Sequence, residues 1–254
     1  AGNYRIIVED ANGCQVIQSE ILTQSTELTM GTNSKNYGSY QIRCNGESNG
    51  EITVINVEGG VEPYEYHLEK LIQPELDPNQ SASYQPERSQ QSSKEFTGLN
   101  SGTYKVITRD ANNNEECQAV DFPIVLIEPD LLKFQPSTII NSQPNFSGFG
   151  VSRNGEDDGF YGINSVGGHQ PDNKYTLSKL KGQPASYQPE QAQQLSSRFN
   201  NLYAGKYQIK VEDTNGYCAE THNFEITEPT PLVLQPSNIS NYNSYQISCN
   251  GFND

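Results

Sequence analysis

One nine-residue pattern occurs three times in this chain and limits what it can fold into. Gly2-Asn-Tyr-Arg-Ile-Ile-Val-Glu-Asp10, Gly102-Thr-Tyr-Lys-Val-Ile-Thr-Arg-Asp110 and Gly205-Lys-Tyr-Gln-Ile-Lys-Val-Glu-Asp213 align without gaps, spaced by 100 and 103 residues. Other blocks recur as well, the first of them at the same offset of 103 residues. Ala82-Ser-Tyr-Gln-Pro-Glu87 returns as Ala185-Ser-Tyr-Gln-Pro-Glu190, Gly59-Gly60 as Gly167-Gly168, and Tyr40-Gln-Ile-Arg-Cys-Asn-Gly46 as Tyr245-Gln-Ile-Ser-Cys-Asn-Gly251. Self-similarity at a fixed period is the mark of a repeat architecture, so each copy is expected to fold as one unit. The breaks fall where Pro or polar residues interrupt apolar runs, near Gln24, Glu128 and Glu228. The expected division is the tail of a repeat (1–24), full repeats at 25–128 and 129–229, and the head of another at 230–254. The chain thus reads as a stretch of something longer. About 100 residues is a normal size for a β-sandwich domain.

Within each copy the apolar residues alternate. Tyr104, Val106 and Thr108 fall on one face of a strand, with Lys105, Ile107 and Arg109 on the other. Tyr207, Ile209 and Val211 oppose Gln208, Lys210 and Glu212 in the same way. A period of two means a half-buried strand, not a helix. Asp10-Ala-Asn-Gly13 and Asp213-Thr-Asn-Gly216 follow at once, and Asn-Gly takes positive φ cheaply, which predicts hairpin turns. The middle copy, Asp110-Ala-Asn-Asn-Asn-Glu-Glu116, is longer and predicts a looser turn. Glu51 to Val57 and Tyr64 to Leu68 read as further strands, separated by Gly59-Gly60. The Gln-rich stretches after Tyr84 and Tyr187 read as a short helical turn or a polar loop. The expected fold class is all-β: tandem immunoglobulin- or fibronectin-like antiparallel β-sandwiches, arranged end to end. Tyr4, Tyr104 and Tyr207, each two residues after a strand-opening glycine, are candidates for a tyrosine-corner role.

Composition narrows the function classes. Hydrophobic residues make up 33% of the chain, which suits small sandwiches whose strands keep one wet face. The formal net charge of -15 repels phosphate backbones and anionic lipids, which argues against nucleic acid or a membrane surface as partner. No apolar run approaches the roughly 20 residues needed to cross a bilayer, so this segment is not expected to insert in a membrane.

Chemistry-bearing motifs are missing. His67, His169 and His222 share no metal-ligand spacing, and no nucleophile elbow, zinc-protease motif, P-loop or dinucleotide fingerprint is present. Asp157-Asp158 and the Asp-x-Asn-Gly turns raise calcium as a ligand, but the ordered oxygen set of an EF-hand loop is absent, and turn chemistry explains these acids better. No catalytic, cofactor or metal residues are expected, and the chain reads as a non-enzyme. The Tyr- and Gln-rich inserts, with Tyr84, Gln85, Tyr187 and Gln188, are candidates for a contact surface toward glycan or protein. Packing on the edge of their own domain is the alternative.

The five cysteines contain no CxxC pair, and their repeat-linked positions point to an oxidising compartment. Cys14, Cys117 and Cys218 follow the Asp turn; Cys44 and Cys249 precede the next strand. Three schemes are open. Local pairing joins Cys14 to Cys44 and Cys218 to Cys249, closing intervals of 30 and 31 residues and leaving Cys117 unpaired opposite Arg153. The irregular turn before Cys117 favours this scheme. Pairing within a unit joins Cys44 to Cys117, and a longer-range bridge joins Cys44 to Cys218.

The succession of Cys44-Asn-Gly46, Gly50 to Val54, Gly59-Gly60, Pro63 to Tyr66, Leu99 to Tyr104 and, from the first tail, Asp10 to Cys14 resembles the SprB-type repeat. Such repeats occur in very large gliding-motility adhesins of Bacteroidetes. The sequence departs from the pattern in the inserts around Ser81 to Ser93 and Ala185 to Ser197, and in Arg153-Asn-Gly155 where Cys-Asn-Gly is expected. The resemblance implies secretion by the type IX system, an extracellular location on the bacterial surface, and a stalk or filament role in motility or attachment. Neighbouring repeats, surface polysaccharide or other filaments would be the partners.

Overall fold

Alternation becomes pairing in the computed structural model, which describes residues 1–73, 83–112, 117–169, 171–180 and 191–234. Strands β1 (Gly2–Glu9) and β2 (Gln15–Leu22) form an antiparallel hairpin, in register from Gly2 opposite Leu22 to Glu9 opposite Gln15. Asp10-Ala-Asn-Gly13 is its turn. Gly13 takes φ 85°, and Asp10 Oδ1 accepts the backbone N–H groups of Asn12 and Cys14, each at 2.9 Å.

The next seven strands are β3 (Thr29–Ser34), β4 (Gly50–Glu58), β5 (Glu65–Gln73), β6 (Ser83–Gln91), β7 (Glu95–Leu99), β8 (Gly102–Arg109) and β9 (Gln118–Leu126). They form one sheet in the order β3-β4-β7 and another in the order β6-β5-β8-β9. A short pair then enters, β10 (Asp130–Phe134) with β13 (Ser165–Gly168). The second copy repeats the plan with β11 (Ile140–Asn141), β12 (Gly159–Gly162), β14 (Lys174–Lys179), β15 (Gln191–Gln194), β16 (Arg198–Leu202), β17 (Gly205–Glu212) and β18 (Ala219–Ile226). Its sheets run β11-β12-β16 and β15-β14-β17-β18. Among the described residues the only helical segments are two single 3₁₀ turns, Pro136–Thr138 and Gln143–Phe146. The fold is all-β and antiparallel, the sandwich class expected.

One local expectation is corrected. The polar stretch after Tyr84 is neither helical turn nor loop but strand β6, on β5 with three register shifts. It lies at the end of its sheet, where Pro86 costs no ladder bond that a central strand would need. The corresponding stretch after Tyr187 lies outside the described residues, apart from the short strand β15.

By contacts the chain falls into two compact units. The first comprises Ala1–Lys133, Val166–Asn173 and Glu212–Glu220; the second comprises Phe134–Ser165, Lys174–Val211 and Thr221–Asp254. In the first, Ile42, Ile52, Val54, Tyr66, Leu68, Phe96, Leu99, Tyr104, Val106, Ile124 and Leu126 make one core. The second buries the corresponding set with a paired change of chemistry. Where the first unit has Ile52 and Ile124, the second has Tyr161 and Phe224, whose rings stack at 3.8 Å between centroids. His222 extends the stack and hydrogen-bonds the Tyr161 hydroxyl at 2.8 Å, while burial lowers its pKa. The exchange keeps the layer filled, which is why both copies hold the same backbone plan.

Tyr104 and Tyr207 do what the tyrosine-corner reading asks. Each ring is buried, and each hydroxyl donates to a carbonyl four residues upstream: Tyr104 to Asn100 at 2.8 Å, Tyr207 to Tyr203 at 2.9 Å. Tyr4 differs, being about half exposed at 52%. Desolvation, helped by Glu87, pushes the Tyr104 phenol up to about 12 from 10.0. Between those values the unfolded chain gives up this proton and the folded chain keeps it, so stability falls as pH rises from 10.0 to about 12. Tyr104→Phe is expected to cost about 1 kcal/mol in urea unfolding at neutral pH and to flatten that alkaline decline. Tyr4→Phe is expected to change neither.

Candidate functional site

The Cys-Asn-Gly turn after Ile42 is built by its own side chains. Arg43 N–H donates to Asn49 Oδ1 at 3.0 Å, and Glu47 N–H donates to the Cys44 carbonyl at 3.1 Å. The Arg43 guanidinium grips Glu47 at 2.8 and 3.0 Å, which holds that carboxyl below its ordinary range. Asn45 and Gly46 then reach forward along the chain. Asn45 Nδ2 donates to the Pro129 carbonyl at 3.1 Å, and Gly46 N–H donates to Glu128 Oε2 at 2.7 Å. The second unit repeats this clamp, Asn154 to Pro229 at 3.1 Å and Gly155 to Glu228 at 2.9 Å. Both Glu-Pro segments, where the sequence places the repeat boundaries, are therefore hydrogen-bonded to the Asn-Gly turn of the copy they end. Sequence reading passed over this coupling. Its signal was there, since Asn-Gly and Glu-Pro recur together in both copies.

Within the first unit the 44–46 turn meets the loops at 166–173 and 212–220. Cys44 and Cys218 form a disulfide across 174 residues, with Cα atoms 5.7 Å apart. This is the longest-range of the three pairings left open, and it corrects the local scheme, because Cys14 is an exposed free thiol. The physical reason is that spacing along the chain measures loop length, whereas a bridge needs Cα atoms within about 7 Å in space. Cys117 is also free and half-buried; Cys249 lies outside the described residues.

His169 packs beneath the bridge, 3% exposed. Its Nε2–H donates to the Arg43 carbonyl at 2.7 Å, and its Nδ1 faces Asn215 Nδ2 at 3.4 Å. Its ring meets Tyr40 and Tyr217 edge-on, with centroids 5.0 and 5.2 Å away. Asp213, fully buried, accepts His169 N–H at 3.2 Å through Oδ2 and Tyr217 N–H at 2.9 Å through Oδ1. His169, Asp213 and Cys218 bring donor atoms within 4.8 Å of one another. The sulfur is half of a cystine, the imidazole Nε2 is engaged by a carbonyl, and both carboxylate oxygens accept backbone N–H groups, so the cluster serves structure. Asp158 likewise accepts Ser152 N–H at 2.9 Å.

The remaining candidates fall elsewhere. Tyr84 and Gln85 sit on edge strand β6, Tyr84 half-buried with Lys105 Nζ 4.5 Å from its ring centroid, and Gln85 exposed. Tyr187 and Gln188 lie outside the described residues. His67 is beside Glu69 at 3.5 Å.

Residues 39–70, which run from the Cys-Asn-Gly turn through most of β5, match the family model of the SprB repeat. No curated protein sequence matches the chain significantly. Among solved structures, three N-terminal domains of the bacteriophage RB49 Highly Immunogenic Outer Capsid protein (Hoc) are similar at 14% identity and TM-score 0.38, over 80% of this chain and 59% of that one. The tetra-tandem repeat in the extending region of a large adhesion protein is similar at 12% identity and TM-score 0.24, over 89% of this chain and 56% of that one. The chain spans less than two thirds of each. The stretch similar to an SprB repeat thus lies within a sandwich plan that the chain builds twice.

Cys44→Ser is expected to lower stability by about 2–5 kcal/mol, read as the shift in urea midpoint under non-reducing conditions. His169→Ala should cost about 1–3 kcal/mol by stranding the Arg43 carbonyl, while the cystine still forms by mass spectrometry.

Proposed function

We propose that this region is a structural stalk segment of a secreted bacterial cell-surface adhesin, acting in gliding or surface attachment and carrying no catalytic centre. The observation behind this reading is that one seven-stranded plan is built twice in tandem, each copy clamping its own outgoing Glu-Pro segment through Asn45-Gly46 or Asn154-Gly155. Such a clamp reduces the freedom of the chain where one repeat hands over to the next. A repeat that stiffens its own exit converts chain length into reach, which is what a stalk requires. The SprB match at 39–70 agrees with this role and with export by the type IX system. On this reading the partners are neighbouring repeats of the same kind, and calcium is not required.

A second reading, a glycan- or protein-binding module, draws on the exposed edge of β6, which offers Gln85, Ser89 and Gln90 to solvent. Lys105 lies against the Tyr84 ring that would stack on a sugar, and this favours the stalk.

Small-angle scattering of the purified chain tests the choice. The stalk predicts an elongated profile that calcium chelation leaves unchanged and that reductant makes more flexible. A compact profile would overturn it. Glycan binding abolished by Tyr84→Ala would establish the module instead.

A further inference from the structure

The two sulfurs of the Cys44–Cys218 bridge sit in different surroundings. Both residues line an open groove of about 240 Å³, together with Asn45, Glu47, Leu131 and Tyr217. Cys44, in the Cys-Asn-Gly turn, is half-buried, whereas Cys218 is 7% exposed. Beneath Cys218 lies His169, with donor atoms of the two side chains within 4.8 Å of each other. His169 Nε2–H and Cys218 Sγ converge on one acceptor, the Arg43 carbonyl, at 2.7 and 3.4 Å. Asp213 Oδ2 lies 4.0 Å from the same ring nitrogen. The matching junction of the first copy lacks the imidazole. Val61 stands there, its N–H held by Asp110 Oδ2 at 3.2 Å as Asp213 Oδ2 holds His169 N–H at 3.2 Å, and the cysteine of that turn, Cys117, is a free thiol. The backbone plan therefore accepts valine at this position, and the imidazole is an addition found with the bridge.

We infer that Cys44 is a modification site, the sulfur at which small thiols open this bridge, and that His169 is a positioning residue that steadies the thiolate leaving on Cys218. A thiol entering the groove reaches the less buried sulfur first. The rate of exchange depends on which sulfur is attacked and on how well the other bears charge. A thiolate released in a buried place is costly without a donor, and an imidazole is the kind of neighbour that stabilises one. The His169 Nε2–H is already aimed at the oxygen beside Cys218 Sγ, so a small turn of the ring shares it between that carbonyl and the sulfur. Opening the bridge leaves the turn its other ties: Asn45 to Pro129, Gly46 to Glu128, and Arg43 to Glu47.

The reaction balances with a small thiol as reductant. Its thiolate attacks Cys44 Sγ, the S–S bond breaks, and the electron pair leaves on Cys218 Sγ, giving a mixed disulfide at Cys44. A second thiolate attacks the outer sulfur of that mixed disulfide and expels the Cys44 thiolate. The cystine gains two electrons and two protons, both given up by the reductant, which departs as its own disulfide.

Cysteamine is the probe, being small and cationic toward a chain of net charge -15. The full chain is incubated with it, quenched in denaturant with N-ethylmaleimide, and mapped by mass spectrometry. Early adducts are expected at Cys44 in about tenfold excess over Cys218. The reduction equilibrium is then read in cysteamine–cystamine buffers for the unmutated chain and for His169→Val. Loss of the imidazole N–H is expected to make the bridge about tenfold harder to reduce. A merely structural histidine predicts the opposite sign, since a looser junction holds the two sulfurs together less well and the cystine gives way more readily. Adducts spread equally over both sulfurs or concentrated on Cys218 would overturn the inference. So would a bridge that His169→Val leaves unchanged or easier to reduce. Should His169→Val fail to fold, judged by its urea transition, the adduct map of the unmutated chain still decides.

Discussion

Two buried aspartates determine where everything else in this molecule can sit. Asp110 and Asp213 are 2% and 0% exposed, and each carboxylate is shared between two loops. One oxygen accepts an N–H of the turn that the aspartate itself opens; the other accepts the N–H just after the Gly-Gly pair. A buried carboxylate without such donors would be costly, so the two loops are held together wherever the aspartate is buried. The second glycine of the pair has to be small and left-handed because it lies against the aspartate itself; Gly60 takes φ 65° and Gly168 φ 72°. This junction also places the residue after the glycine pair, Val61 in one copy and His169 in the other.

This explains which parts were legible in the sequence. The fold was, because period-two alternation and Asn-Gly turns are local signals and the repeat stated them more than once. The tyrosine corner was legible for Tyr104 and Tyr207, since the glycine two residues earlier marks the strand start in both. Tyr4 carries the same local signal and yet is half exposed, because burial depends on sheets packed across from it and not on its own strand. Strand β6 was misread for a related reason. Nine residues that are polar apart from Tyr84 and Pro86 have no period to detect, and only pairing with β5 makes them a strand.

The cystine was less legible still. Intervals of 30 and 31 residues made local pairs attractive, but the bridge joins residues 174 apart, brought together by the loops at 166–173 and 212–220. The absence of a cysteine at Arg153 carried real information that spacing alone could not decode. His169, seen in sequence as one of three unrelated histidines, proves to be the residue on which the bridged turn rests, and nothing in its neighbours announces a contact with Arg43.

Arg153 also shows the order in which these interactions build on one another. Where arginine replaces the cysteine, Asn154 and Gly155 still clamp the Glu-Pro segment, Glu156 N–H still donates to the Arg153 carbonyl at 3.2 Å, and Arg153 still approaches Glu156 at 3.4 Å. The turn therefore acquires its shape without a cystine. A cysteine placed on a turn already ordered loses little further conformational freedom when it bonds, so the bridge adds its constraint to a geometry that is in place beforehand. Repeats can then gain or lose the covalent link by a single substitution while the sandwich and its clamped exit persist. In a tandem array the hydrogen-bonded hold on each Glu-Pro segment and the covalent link between chain segments can therefore vary along the chain independently.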